Sequence, residues 1–193
     1  MPQFPKKRIG VLALQGDFEA HERALRRAGA EPVEIRSAEQ LHDIDGLIIP
    51  GGESSTMLRL IELENLIEPL REFGRSKPVF GTCAGAILLA SDVTSPPQPS
   101  LALMDIGVER NAYGRQLDSH IAHLKPEGEL EGDLEAVFIR APIIRRVGER
   151  ARVLARHKGD PVLVEQGRHM VATFHPELTE DLRVHKLFLD KIA

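Results

Sequence analysis

The chain has 193 residues, 42% hydrophobic and 28% charged, enough apolar material to bury a core and too much for a disordered polymer. With 25 Lys+Arg against 29 Asp+Glu the net charge is −4, which argues against a general nucleic-acid binder, and 4% aromatics with no Trp leave little to stack on bases or sugars. One Cys excludes an internal disulfide framework and any multi-cysteine metal site, and the first apolar run, six residues long, is too short for a signal sequence or a membrane span. A soluble cytoplasmic protein with a single domain over residues 1–193 is expected.

Residues 9–14 (IGVLAL) form a continuous apolar run, as in a strand buried on both faces. Asp17 can cap the following helix, with Glu19 in its first turn, Arg26 and Arg27 in its last, and Gly29 as its stop. Residues 33–35 and 46–49 (GLII) read as the second and third strands, the latter ending at Pro50-Gly51-Gly52. Ser54 or Ser55 caps the next helix, and Pro69 lies too far in for it to continue unbroken, so a break is expected near Asn65. Val79 and Phe80 open a fourth strand, and residues 84–90 form the helix after it. This alternation predicts a mainly parallel sheet with helices on both faces.

Three prolines within residues 95–100 make an extended loop, expected to separate two halves of one sheet system. Beyond it, strands are expected at 103–109, 121–124, 136–139, 153–155, 162–165 and 169–173. A last helix follows Thr179, with Val184, Leu187, Phe188 and Ile192 at helical spacing. The fold class is α/β: three layers with a mixed, mainly parallel central sheet.

Ligands of such sheets sit at the carboxyl ends of strands, and three of those ends carry unusual residues. Gly81-Thr82-Cys83-Ala84-Gly85 has the form of a nucleophile elbow with sulfur in place of the usual hydroxyl. A lone Cys is ordinarily a small buried hydrophobe, but the glycine frame at a strand-to-helix turn favours a nucleophile. The N–H of Ala84 would then face an oxyanion formed beside Cys83. His175-Pro176-Glu177 follows a strand, and in an extended segment residues i and i+2 point the same way, so Glu177 could orient His175. Pro50-Gly51-Gly52-Glu53-Ser54 frees backbone N–H groups to turn toward an anion, without the Gly-Lys-Ser/Thr of a phosphate loop. Among the other histidines, His21 reads as a packed core-edge residue. His120 and His123 lie on opposite faces of a strand, a poor arrangement for a metal, and His42, His157, His169 and His185 show no partner.

These motifs resemble those of the glutaminase subunits of pyridoxal 5′-phosphate synthase, a family of triad (class I) glutamine amidotransferases with a flavodoxin-like fold. The resemblance runs nearly end to end. It rests on Leu14-Gln15-Gly16, the Pro50–Ser54 loop, Gly81–Gly85, Val108-Glu109-Arg110-Asn111, Gly114-Arg115-Gln116, Phe138-Ile139-Arg140-Ala141-Pro142 and the Phe174–Asp181 segment FHPELTED. The elbow and His-Pro-Glu mark the superfamily, and the combination marks the family. Ala112 and Tyr113 depart from the family's usual Ser and Phe, His120 stands where an aromatic is common, and Ile143 where His is often found.

The resemblance implies Cys83 as nucleophile, with His175 and Glu177 completing a triad, and an oxyanion hole from Ala84 and Gly51 or Gly52. It implies L-glutamine held by Gly52, Glu53, Ser54, Arg110, Ile139 and Arg140, with Arg110 or Arg140 meeting the carboxylate and Glu53 or backbone carbonyls the ammonium. Hydrolysis would give L-glutamate and ammonia with no metal or organic cofactor. A synthase partner, which activates the otherwise weak glutaminase by docking, would combine the ammonia with a pentose phosphate and a triose phosphate. Two alternatives stand beside this reading: the glutaminase of another amidotransferase, such as imidazole glycerol phosphate synthase, and a non-catalytic stress or chaperone-like protein with a reactive elbow Cys.

Overall fold

The computed structural model describes residues 5–112 and 119–193; Tyr113 and the Gly114-Arg115-Gln116 motif lie outside them. In chain order the first half is β1 (Arg8–Leu12), α1 (Phe18–Arg27), β2 (Glu31–Ile35), β3 (Gly46–Ile49), α2 (Ser54–Leu63), α3 (Ile67–Ser76), β4 (Val79–Thr82), α4 (Ala84–Leu89) and β5 (Ala90–Thr94). The second half is β6 (Met104–Glu109), β7 (Ser119–Leu124), β8 (Leu134–Ile139), β9 (Ile143–Val147), β10 (Arg152–His157), β11 (Asp160–Gln166), β12 (His169–Ala172) and α5 (Arg183–Asp190). No helix among the described residues is long and apolar enough to cross a membrane.

Seven strands form the central sheet in the order β10-β11-β12-β4-β3-β1-β2. From β12 to β2 the neighbours run parallel, and β10, β11 and β12 pair antiparallel, so the sheet is mixed as expected. Alternation within the buried strands feeds two cores. Leu47, Ile49, Val79 and Val171 pack with Met57, Ile61 and Leu70 from α2 and α3, while Ile48, Phe80, Met170 and Ala172 pack with Leu25, Val184 and Phe188 from α1 and α5. The sheet is thus the middle of three layers.

Two smaller sheets flank it. β5, β6 and β9 form one, and β7 pairs with β8 in a hairpin. The proline-rich loop therefore does not divide the main sheet; it joins β5 to β6, which lie parallel in the smaller one. β5 and β9 lie outside the strands expected from sequence. The helix expected over 84–90 stops at Leu89, and Ala90 begins β5.

Helix starts differ in detail. Asp17 stands at the N-cap of α1 without a side-chain bond to it, and α2 is capped by Glu53, whose carboxylate accepts from the N–H groups of Ser55 and Thr56. Serine is the usual cap, but here Ser54 and Ser55 are already helical. The break near Asn65 is present, with Asn65 at φ +55 between α2 and α3.

Candidate functional site

Three strand ends of the parallel block meet at one cavity of about 380 Å³. Cys83 ends β4 and begins α4 at φ +50 and ψ −106, a strained conformation for a residue with a side chain. Its N–H is tied to the Ala172 carbonyl at 2.8 Å, which locks the bend against β12. The glycine frame is sterically required. A Cβ on Gly81 would collide with the Gly85 carbonyl, and one on Gly85 with the Ile49 carbonyl. In the first turn of α4, Ala86 N donates to the Cys83 carbonyl at 3.0 Å, and the N–H groups of Ala84 and Gly85 precede the first intrahelical acceptor.

His175 lies beyond β12, and its Nδ1 donates to Glu177 Oε1 at 2.7 Å. The pairing is the expected one, but its geometry is not that of an extended segment. Residues Pro176–Leu178 form a 3-10 turn, begun by the proline, which curls Glu177 back beneath the ring. Both side chains are nearly sealed from solvent. Burial pushes the His175 imidazolium down, but its hydrogen bonds with Cys83 and Glu177 and their charges outweigh this and lift it to about 10. Burial likewise pushes the Glu177 carboxyl up, and His21 and His175 beside it bring it below the ordinary range.

The cavity wall contains Gly52, Glu53, Ser54, Cys83, Ala84, Arg110, Ile139, Arg140 and His175, so nearly every residue singled out from sequence converges here. Glu177 stands behind His175 rather than in the wall. Gly51 packs under the ring: a Cβ there would lie 2.6 Å from His175 Cε1 and 3.2 Å from Cys83 Cβ. The Gly51 carbonyl accepts from Asp17 N at 3.3 Å, which fixes the facing of the Gly51–Gly52 peptide.

Arg110 follows β6 and is held by a bond from Nη2 to Ser55 Oγ at 2.5 Å. Its Nε is buried and has no partner among the described residues. Glu53 faces Arg110 at 3.7 Å, but its carboxylate accepts from Ser55 N, Thr56 N and Thr56 Oγ1. Burial would push that carboxyl up; the hydrogen bonds from Thr56 and Ser55 prevail and hold it at about 2. Arg140 closes the β8 end at φ +43.

Sequence reasoning missed Gln15, Ile87, Asn111 and Pro142 in the wall. Gln15 matters most: its Oε1 accepts from Glu53 N at 3.0 Å and fixes the glycine loop from the end of a neighbouring strand. Its signals were a polar residue at the close of an apolar run and its place in the Leu14-Gln15-Gly16 motif, neither of which named a partner. Several histidines also have partners that sequence did not disclose. His21 is fully buried and bonds to His185 and Thr82 at 3.0 Å each. His169 Nδ1 accepts from Val79 N, and His157 meets His120 at 3.2 Å. His120 also fills its expected aromatic place, stacked on Phe138 with centroids 5.0 Å apart.

Residues 11–193 match the model of the SNO glutamine amidotransferase family. The pyridoxal 5′-phosphate synthase subunit PdxT of Solibacter usitatus is 63% identical over 191 residues, covering 96% of this chain and 100% of that protein. That of Koribacter versatilis is 55% identical over 186 residues, covering 96% and 95%. A crystal structure of a glutamine amidotransferase superposes with a TM-score of 0.89 at 48% identity, covering 95% of this chain and 97% of that one.

Proposed function

The chain belongs to the SNO glutamine amidotransferase family, and from that premise we propose that it is the glutaminase subunit of a pyridoxal 5′-phosphate synthase, a single cytoplasmic domain hydrolysing L-glutamine to L-glutamate and ammonia. One observation carries the chemistry: a buried imidazole, bound to a buried carboxylate at 2.7 Å, shares a cavity with the chain's one cysteine on a strained elbow.

Cys83 sulfur attacks the side-chain amide carbon of glutamine. The carbonyl oxygen becomes an oxyanion, held by the N–H of Ala84 and by one from Gly51 or Gly52, each such donor being worth about a hundredfold or more. His175 passes its proton to the departing nitrogen, and ammonia leaves a thioester. A water molecule, deprotonated by His175, then attacks the thioester and releases glutamate. Once the sulfur is acylated it carries no charge to hold the imidazolium, which eases the ring's change from acid to base. Thiol, imidazole and carboxylate supply nucleophile, acid–base and orienter, so the scheme calls for no cofactor.

Arg110 is the better placed of the two arginines for the substrate carboxylate, because its Nε is buried and has no partner among the described residues. Glu53 is less suited to the ammonium than expected, since its carboxylate already serves α2. Backbone carbonyls of the loop remain for that task.

The ammonia goes to a synthase subunit bound to this one, which combines it with a pentose phosphate and a triose phosphate. We take the Gly51–Gly52 peptide as the element that docking acts on. Among the described residues the carbonyl of that peptide accepts one hydrogen bond, the long 3.3 Å bond from Asp17 that sets its present facing, and docking would have to break that bond to turn it. The test is glutamate and ammonia release, with and without the synthase, from the wild type and Cys83→Ala. Activity that rises with synthase and vanishes in Cys83→Ala is expected. Equal rates with and without synthase reject the activation step, and activity surviving in Cys83→Ala rejects the reading.

A further inference from the structure

Behind the triad lies a second buried polar group that the hydrolysis scheme does not use. Glu177 Oε1 is occupied by His175, but Oε2, equally buried, has no hydrogen-bond partner within normal range among the described residues. A sealed carboxylate oxygen left unbonded is costly. The nearest group to it is His21 Nε2, from α1, at 3.5 Å. The same Nε2 lies 3.0 Å from Thr82 Oγ1, and Thr82 directly precedes the nucleophile on β4. On the far side of the ring, His21 Nδ1 is 3.0 Å from His185 Nε2, contributed by α5.

The proton positions follow from which atoms lack partners. His185 Nδ1 is buried with nothing to bond among the described residues. A proton there would be an orphaned donor, so the His185 proton sits on Nε2 and is donated to His21 Nδ1. His21 must then carry its own proton on Nε2, where it is bonded to Thr82 Oγ1 at 3.0 Å and shared, as the weaker arm of a forked contact, with Glu177 Oε2 at 3.5 Å. Both rings are held neutral. Burial pushes His21 down against the opposing charge of Glu177, and burial with His21 alongside takes His185 to about 3.

We propose that His21 is a positioning residue of the triad: its Nε2–H, oriented by His185, holds the free oxygen of Glu177 and so keeps the other oxygen aimed at His175. A neutral donor suits this place. It favours the ionised carboxylate without adding a positive charge that would compete with the His175 imidazolium. It also ties the carboxylate to the residue before the nucleophile, so base and sulfur keep a common reference. His21 touches no substrate and acts only through Glu177.

The inference rests on the triad reading, and the experiment separates the two. Glutamine hydrolysis by the complex with the synthase is measured for His21→Leu and His21→Gln, after Cys83→Ala has shown that hydrolysis depends on the sulfur; survival of activity in that variant would sink the triad, whatever His21 does. Leu removes the donor, whereas Gln retains a donor for Glu177 and an acceptor for His185. His21→Leu is expected to lower kcat about tenfold or more with KM within about twofold, and to shift the midpoint of His175 ring titration to lower pH, because a less firmly held carboxylate supports the imidazolium less. His21→Gln is expected to recover most of both. Nitrogen-15 NMR of the histidines in the wild-type chain reads the tautomer directly, even if the leucine variant does not fold. A His21 proton on Nδ1 overturns the proposal. So does a folded His21→Leu with wild-type kcat and an unmoved His175 midpoint, or a glutamine variant as impaired as the leucine one with the midpoint unmoved in both.

Discussion

Arg110 and Glu53 face each other at 3.7 Å, yet neither satisfies the other: the carboxylate belongs to the start of α2, and the guanidinium leans on Ser55 and leaves its Nε unbonded among the described residues. A buried guanidinium edge of this kind suits a planar carboxylate. Arg110→Lys keeps the charge but loses the fork. It is expected to raise KM for glutamine by about tenfold while kcat changes little. Steady-state kinetics of the complex with the synthase decides this; a change in kcat alone would place Arg110 elsewhere in the reaction.

The imidazole of His175, raised to about 10, should stay protonated well above neutrality. Its folded value lies above the ordinary 6.5, so the stability it brings is complete below pH 6.5 and is lost as pH rises through about 10. NMR titration of the ring is expected to show an imidazolium at pH 8. In Cys83→Ala and in Glu177→Gln the midpoint should fall, since each removes one of the groups that raise it. A ring neutral at pH 8 in the wild type would contradict this.

Two glycines should separate chemistry from stability. Gly51→Ala places a methyl 2.6 Å from the His175 ring, whose displacement is expected to cut kcat at least about a hundredfold with a small change in Tm. Gly85→Ala drives a methyl into the Ile49 carbonyl at the heart of the sheet, and is expected to destabilise the fold by about 1–3 kcal/mol. Thermal unfolding and kcat measured side by side check both.

His120 on β7 and His157 on β10 join the hairpin to the edge of the central sheet, with Phe138 stacked against both. Burial, His120 and Lys158 hold His157 below its ordinary value, while Asp160 partly opposes them. Protonating His157 places a charge in a contact that burial and its neighbours disfavour, so this contact weakens as pH falls below the ordinary histidine value of 6.5. Since β8 carries Ile139 toward the cavity, KM for glutamine should rise on acidification more steeply in the wild type than in His157→Phe. Parallel profiles in the two proteins would remove the pair from this role.

The parallel core was readable because strands buried on both faces must be continuous apolar runs, as at β1 and β3. β5 (ASDVT) and β9 (IIRRV) gave no such signal. Both lie in a small half-exposed sheet, where polar residues such as Ser91 and Arg146 are tolerated. The elbow and the His175–Glu177 pair were legible because each is encoded within five residues. The Gln15 clamp on Glu53 spans 38 positions and the His21–His185 contact spans 164, so no local pattern announces either. Glu53 was singled out for the substrate but not as the cap of α2, because the serines beside it are the commoner caps.

The residues that would break the amide stand on β4 and beyond β12, inside the rigid seven-stranded sheet, whereas Arg110 and Arg140 hang from the two small flanking sheets. The two arginines are therefore mounted on frames separate from the bond-breaking pair, while the loop after β3 shares the central sheet with it. A neighbour leaning on the outer pieces could tighten or slacken the hold on an amino acid without disturbing the sulfur or the ring.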